Sequence, residues 1–282
     1  MTSIVIPAHN EARVIGRLLD SLLADPAEDD TDIVVVCNGC TDDTARIAAR
    51  RGPGVRVVEI PVPSKHAALR AGDDHAAGFP RLYVDADVVI TGAGVRALCA
   101  PLADDTSGIL ATAPERLIPL AGCAWRVRAY YRVWQRLPAV REGLFGRGVI
   151  AVSKAGHARI AALPPLMADD LAASLAFAPR ERLVVGAAEV VVRPPRTWRD
   201  LIRRRVRAAV STAQVEQRQA PQDASARTSV ADLRGVLRAE PTLLAGVAVF
   251  VAAAVVARRR ADRAIRARDF DTWLRDDSSR QN

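Results

Sequence analysis

Short uninterrupted runs of branched aliphatic residues alternate, through the first ninety positions, with longer stretches whose apolar residues recur every three or four places. SIVIP at 3–7, DIVVVC at 32–37, VRVVEIP at 55–61 and RLYVDADVVI at 81–90 are runs of the first kind. Between them, NEARVIGRLLDSLL at 10–23 gathers Val14, Ile15, Leu18, Leu19, Leu22 and Leu23 on one helical face. TDDTARIAARRG predicts a second helix closed by Gly52, and KHAALRAGDDHAAG a third. Continuous apolar strands separated by amphipathic helices predict an α/β fold with a mainly parallel sheet covered on both faces. Such sheets bind ligands outside the carboxyl ends of their strands. Pro7 to Glu11, Asn38 to Asp43 and Asp85 to Asp87 fall at those ends.

Beyond residue 108 the pattern loosens. GILATAPERLI and LVVGAAEVVVRP predict strands, LFGRGVIAVSKAG a glycine-punctuated strand, and CAWRVRAYYRVWQRL a helix. MADDLAASLAF starts a helix with acids in its first turn, where they suit the dipole. Residues 197–210 predict an arginine-rich amphipathic helix with Trp198, Leu201, Ile202, Val206 and Ala209 on one side. The division expected is a catalytic domain over 1–210, a polar linker over 211–240, and an apolar helix with a basic tail over 241–282. Sixteen uncharged residues, 242–257, are followed by Arg258, Arg259 and Arg260. As a helix, Leu243 to Ala257 extends only about 22 Å, short of a hydrocarbon core of about 30 Å. A membrane-associating segment is expected, single-pass or monotopic, with the arginines on the cytoplasmic face beside anionic lipid. A buried helix of a soluble protein is the plainer reading of the same run.

Charge narrows the partners. The 282 residues carry a formal net charge of +8, almost all of it arginine, since Lys65 and Lys154 are the only lysines. That favours an anionic partner. The arginines cluster beside an apolar span without interleaved aromatics, which fits a membrane surface and not nucleic acid. The start of the chain lacks a secretory pattern, and four cysteines do not make a disulfide framework, so a cytosolic catalytic domain is expected. CNGC at 37–40 has the spacing of a redox motif, but that reading leaves the acidic segments without a purpose. His9 is the one histidine expected near a site.

In order along the chain, SIVIPAHNEARVIGRLLDSL, VVVCNGCTDDTARIA, KHAALRAGDDHAAG, DADV, LFGRGVIAVSKAG and MADDLAASLAF resemble the successive motifs of the inverting glycosyltransferase family 2, whose fold is GT-A. The resemblance covers roughly residues 2–210. It implies transfer of a sugar from a nucleotide-sugar donor to an acceptor hydroxyl, the acceptor being lipid-linked if the tail meets a membrane. It implies Mg²⁺ or Mn²⁺, a hard cation that takes carboxylates together with substrate phosphates.

By that resemblance Asp87 is the closer metal ligand, and Asp85 lies nearer the sugar or ribose while also serving the metal. Aspartates at i and i+2 face one side if the strand continues through them. Pro7, Ala8, Asn10, Glu11, Asn38, Asp42 and Lys65 line the nucleotide pocket. Asn10 and Glu11 are equally suited to open a helix, Asn10 as its N-cap. Family members often carry two acids where this chain has Cys37 and Asn38. Asp170 matches the catalytic base and Asp169 replaces a glutamate. Two acids in a first turn are also ordinary helix chemistry. In RRRVRA, Arg204 takes a Gln position, Arg207 matches an Arg that meets the diphosphate, and Ala208 replaces a Trp, which argues against a long-chain polysaccharide synthase. The alternative function is a non-catalytic nucleotide-sugar-binding protein of the same fold.

Overall fold

The computed structural model describes residues 1–24, 31–104, 106–163, 169–218 and 228–266. In chain order the strands and α-helices are β1 (Thr2–Ala8), α1 (Ile15–Leu23), β2 (Thr31–Asn38), α2 (Thr44–Ala49), β3 (Val55–Ile60), α3 (Lys65–His75), β4 (Arg81–Val84), α4 (Gly92–Ala103), β5 (Ala111–Leu117), α5 (Trp125–Trp134), α6 (Pro138–Glu142), β6 (Val149–Val152), α7 (Lys154–Ala161), α8 (Asp169–Leu175), β7 (Arg182–Val191), α9 (Trp198–Arg218), α10 (Val230–Ala239) and α11 (Leu244–Arg266). The described residues divide into two compact units: 1–117 with 144–163 and 169–192, and 118–143 with 193–218 and 228–266.

The first unit is built on one seven-stranded sheet in the order β3-β2-β1-β4-β6-β5-β7. β1 pairs in parallel with β2 and with β4, β2 with β3, and β5 with β7. β6 alone runs antiparallel, to both β4 and β5. The chain leaves β1 towards β2 and β3 and then crosses to β4 on the other side of β1. That reversal opens a crevice at the carboxyl ends of β1 and β4.

Alternate side chains of each central strand go to opposite faces, which accounts for two cores. Ile4, Ile6, Ile33, Val35, Leu82 and Val84 pack with Ile15, Leu18 and Leu19 of α1 and with Val95 and Leu98 of α4. On the other face Val34 and Val36 pack with Ala68 of α3. α3 lies so close to the sheet that a Cβ on Gly72 would stand 2.3 Å from the Val5 side chain.

The structure shortens several expected elements. β4 stops at Val84, and Asp85 to Asp87 form a turn in place of a continuing strand. The glycine-punctuated strand is reduced to β6, because Gly146 and Gly148 before it have positive φ and Ser153 after it caps α7 by accepting from Gly156 N. Asn10 is not an N-cap. It sits in the left-handed region at φ 53°, and α1 begins at Ile15.

In the second unit α11 packs along α5 and α9. Leu201, Ile202 and Val206 of α9 and Val127, Tyr130 and Val133 of α5 are buried. Phe250 of α11 stacks on Tyr130, with ring centroids 5.1 Å apart. The stretch expected as a linker, 211–240, contains the end of α9 and all of α10. α10 forms because Ser229 and Asp232 make a reciprocal capping box, a local signal that a reading of polarity alone passes over.

Candidate functional site

The loops that follow β1 and β2 are tied together by polar contacts. Asn38, at the end of β2, donates its amide to Ala8 O across 2.8 Å. The His9 ring nitrogen Nδ1 lies 2.6 Å from Asn38 O. Asn10 turns back on itself in the left-handed region, which asparagine tolerates. Its side-chain oxygen then accepts from Thr41 N at 2.8 Å. Glu11 N donates to the Thr44 hydroxyl at 2.8 Å, and Ala12 N donates to Asp42 at 3.1 Å. Asp42 also accepts from both the backbone and the hydroxyl of Thr44. Burial works to raise the Asp42 carboxyl, and these hydrogen bonds from Thr44 and Ala12 outweigh it, holding the group below the usual carboxylate range.

Pro7 and Ala8 are the last two residues of β1 and are buried, as is Glu11. The loop after β2 reaches the next element through Gly39. Its φ is +57°, and a Cβ there would stand 2.9 Å from that of Pro63, so only glycine fits. Ser64 then caps α3, accepting from Ala67 N, and the first residue of the helix is Lys65. Its Nζ lies 2.7 Å from Asp85 Oδ1, in a contact open to solvent on one side. A cation therefore already rests on the carboxylate that opens the acidic turn.

The turn itself is held from below. Asp85 N donates to Gly148 O at 2.7 Å, extending the β4–β6 ladder by one bond past the end of β4. Ala86 is buried between half-buried Asp85 and exposed Asp87, so the two carboxylates remain on the outer side although the strand has ended. Gly148, at φ +69°, lets the chain pass flush beneath: a Cβ there would meet the Val88 side chain at 2.5 Å and Asp85 Oδ2 at 3.5 Å.

Two arginines that the sequence did not single out fix this segment. Arg147 is fully buried and donates to Pro114 O at 2.7 Å. Burial lowers its pKa to about 10 against the opposing pull of Glu115, so it stays charged at neutral pH. Arg116 donates to Phe145 O and Gly146 O at 3.3 and 3.4 Å. A charged residue inside a mainly apolar run is the signal that could have found Arg147.

Pro7, Ala8, Asn10, Glu11, Asn38, Asp42, Asp85 and Asp87 thus lie on β1, β2 or the loops at the carboxyl ends of β1, β2 and β4, and Lys65, the first residue of α3 after β3, reaches Asp85 from there. Asp169 and Asp170 open α8; their side chains lie outside the described part of the structure. Arg207 lies on α9 in the second unit, half-buried. Among the described residues no three His, Cys, Asp or Glu side chains gather into a metal cluster. The pair Asp85–Asp87 suits a hard cation that draws its other ligands from phosphate oxygens and water. The CNGC segment does not suit thiol chemistry. Cys37 is pushed up to about 12, chiefly by burial and then by Cys40 beside it, the opposite of a reactive thiol.

Residues 3–152, more than half of the chain, match the family described as glycosyl transferase family 2. The chain belongs to that family. Family 2 membership accords with solved structures that share the fold. The mannosyltransferase of Pyrobaculum calidifontis, in complex with GDP-Man and Mn²⁺, superposes with a TM-score of 0.60 at 20% identity, covering 99% of this chain and 84% of that one. Glucosyl-3-phosphoglycerate synthase of Mycobacterium tuberculosis, in complex with phosphoglyceric acid, gives 0.55 at 21% identity, covering 79% and 81%. By sequence, the 4,4'-diaponeurosporenoate glycosyltransferase of Staphylococcus aureus is 37% identical over 92 residues, 30% of this chain and 24% of that protein. The family 2 chain described here thus matches about a quarter of the length of that relative. Cys37 is buried in the core with residues of α1 and α4, and Asn38 bonds across to β1.

Proposed function

We propose that this protein transfers a sugar, with inversion, from a nucleotide-sugar donor to an acceptor hydroxyl, using Mg²⁺ or Mn²⁺. The observation that carries the reading is the convergence, at the carboxyl ends of β1, β2 and β4, of the interlocked loops, Lys65, and the outward-facing pair Asp85–Asp87.

In this reading Glu11, Asn38 and Asp42, with Pro7, Ala8 and Asn10, shape the nucleoside side of the pocket. Their mutual hydrogen bonds pre-organise it, so little ordering is left for the donor to induce. Lys65 meets the diphosphate. Asp85 and Asp87 hold the cation, which neutralises charge developing on the leaving diphosphate. Asp170 takes the proton of the attacking hydroxyl, with Asp169 beside it as the neighbouring acid. The relatives whose printed names or complexes mention GDP-Man and Mn²⁺ support this choice of donor class and cation.

The protein works, in the same proposal, at the cytoplasmic face of a membrane, on a lipid-linked acceptor. Pro241–Arg263 is long and apolar enough to cross a membrane by length and composition, and exposed Arg258 to Arg260 suit anionic lipid on that face.

The test uses matched variants and thermal shift with nucleoside diphosphates. Wild type gains stability from a nucleoside diphosphate, and Mn²⁺ enlarges the gain. Asp87→Ala keeps its ligand-free Tm and loses the Mn²⁺ enhancement. An enhancement equal to wild type refutes the metal assignment. Asp170→Asn binds donor normally and loses transfer by about 10²–10⁴-fold, the scale of general-base catalysis. A wild-type chain that binds the nucleotide but neither transfers sugar nor hydrolyses donor is a binding protein, and the catalytic reading fails.

A further inference from the structure

We infer that α11 lies flat in the surface of an anionic membrane, on its exposed apolar face, and does not cross the bilayer. This rests on the membrane reading above and specifies its geometry.

α11 has two apolar faces with different fates. Gly246, Val247, Phe250, Ala253, Ala257 and Ala261 form a buried stripe that runs the length of the helix, against α5 and α9. A Cβ on Gly246 would stand 3.1 Å from the Val133 side chain and 3.2 Å from Ala129 O, so the helices touch closely. On the opposite side Leu244, Ala248, Val251, Ala252 and Val255 are exposed, Leu244 at 66%, Val251 at 42% and Val255 at 44%. At 100° per residue these five fall within one sector of the helix. A core helix of a soluble protein buries most of its surface, whereas only 28% of the most apolar window of Pro241–Arg263 is buried.

The neighbours exclude a crossing. The stripe buried against α5 and α9 persists from Gly246 to Ala261, so wherever α11 goes these two helices go with it. α5 exposes Arg126, Arg128 and Arg132, and α9 carries Arg203, Arg204, Arg205 and Arg207 half-buried. A guanidinium in hydrocarbon is costly, and seven would accompany α11 across. Lying in the interface leaves them in headgroups and water, while the exposed face of α11 enters the acyl boundary, as interfacial amphipathic helices do.

Charge selects the occupant. Arg259 and Asp262 continue the exposed stripe, and Arg258, Arg260 and Arg263 flank it, all exposed, which leaves the end of the stripe net positive. A basic collar at the end of an apolar face complements anionic lipid headgroups. A second copy of the same face packed in parallel would bring the two collars towards each other.

The experiment uses the full chain with two assays: flotation with vesicles of phosphatidylcholine with and without phosphatidylglycerol, and alkaline carbonate washing of cell membranes. Expected results are flotation that needs phosphatidylglycerol, weakening with salt, and release by carbonate. Val251→Asp with Val255→Asp, both at exposed sites, keeps the wild-type Tm and lowers vesicle partition by about tenfold or more. Retention in the carbonate-washed pellet means a crossing helix: the flat geometry fails and the membrane reading stands. A soluble, monodisperse chain that ignores vesicles overturns both. Unchanged partition in the double variant, or a soluble dimer that this variant dissociates, also overturns the flat lipid-bound geometry.

Discussion

The Thr44 hydroxyl receives the Glu11 N–H at 2.8 Å and gives its own proton to Asp42, so one fully buried side chain joins the β1 loop to the β2 loop. Valine has the same shape and neither polar function. Thr44→Val therefore leaves the Glu11 N–H without its acceptor and removes one of the bonds that lowers the Asp42 carboxyl. We expect a loss of about 1–3 kcal/mol in unfolding free energy at neutral pH, the usual cost of an unmatched buried polar group. The pH dependence follows from the direction of the shift. Asp42 titrates lower in the folded chain than in the unfolded one, so its contribution is present above the ordinary carboxylate value and fades as pH falls through the lowered folded value. The stability gap between wild type and Thr44→Val thus narrows in acid. Urea melts of both proteins from neutral to acidic pH measure it, and a gap that is constant or widens in acid contradicts the linkage.

At the level of elements, the close contact of α11 with α5 gives a paired prediction. Gly246→Val drives a branched side chain against Val133 and the Ala129 carbonyl and should cost about 1–3 kcal/mol by overpacking. Ala248→Val, two residues on and exposed, should change stability by less than about 0.5 kcal/mol. Equal effects in a denaturant melt would mean that the two faces of α11 are misassigned. Much of this architecture was legible beforehand. The runs SIVIP and DIVVVC are rich in β-branched residues and continuous because strands buried on both faces must be, and they became β1 and β2; VRVVEIP, broken by Arg56 and Glu59, became the edge strand β3. α4 was not foreseen: GAGVRALCAPLA holds two glycines and Pro101, which dilute the helical period, and its start is marked only by the Thr91 cap. The direction of β6 is a property of pairing, to which no local pattern points. That Pro7 to Glu11, Asn38 to Asp42 and Asp85 to Asp87 lie at the carboxyl ends of strands was readable from their positions in the sequence. What they bond to was not, because Thr44, Gly39 and Gly148 act through contacts distant in sequence.

For the molecule as a whole, a net charge of +8 and an acidic turn occupied by an ammonium belong to one account. In the proposed function the arginines attract anionic surfaces and substrates over distance, while the carboxylates of the turn draw positive charge close by. The Lys65–Asp85 contact at 2.7 Å has a thermodynamic consequence for the order of ligation. If the proposed cation sits on Asp85, Lys65 and the ion compete for the same carboxylate, and in the donor-free chain the ion has to displace an ammonium. A diphosphate that draws Lys65 onto its own oxygens removes that competitor and adds ligands at once. The two ligands are then heterotropic partners: each tightens the other by the same factor, as reciprocity demands. Titration calorimetry should find weak Mn²⁺ binding alone and tighter binding with a nucleoside diphosphate present. Lys65→Met should raise the affinity for Mn²⁺ alone and shrink the synergy; unchanged synergy would show that the ammonium and the ion do not share a seat.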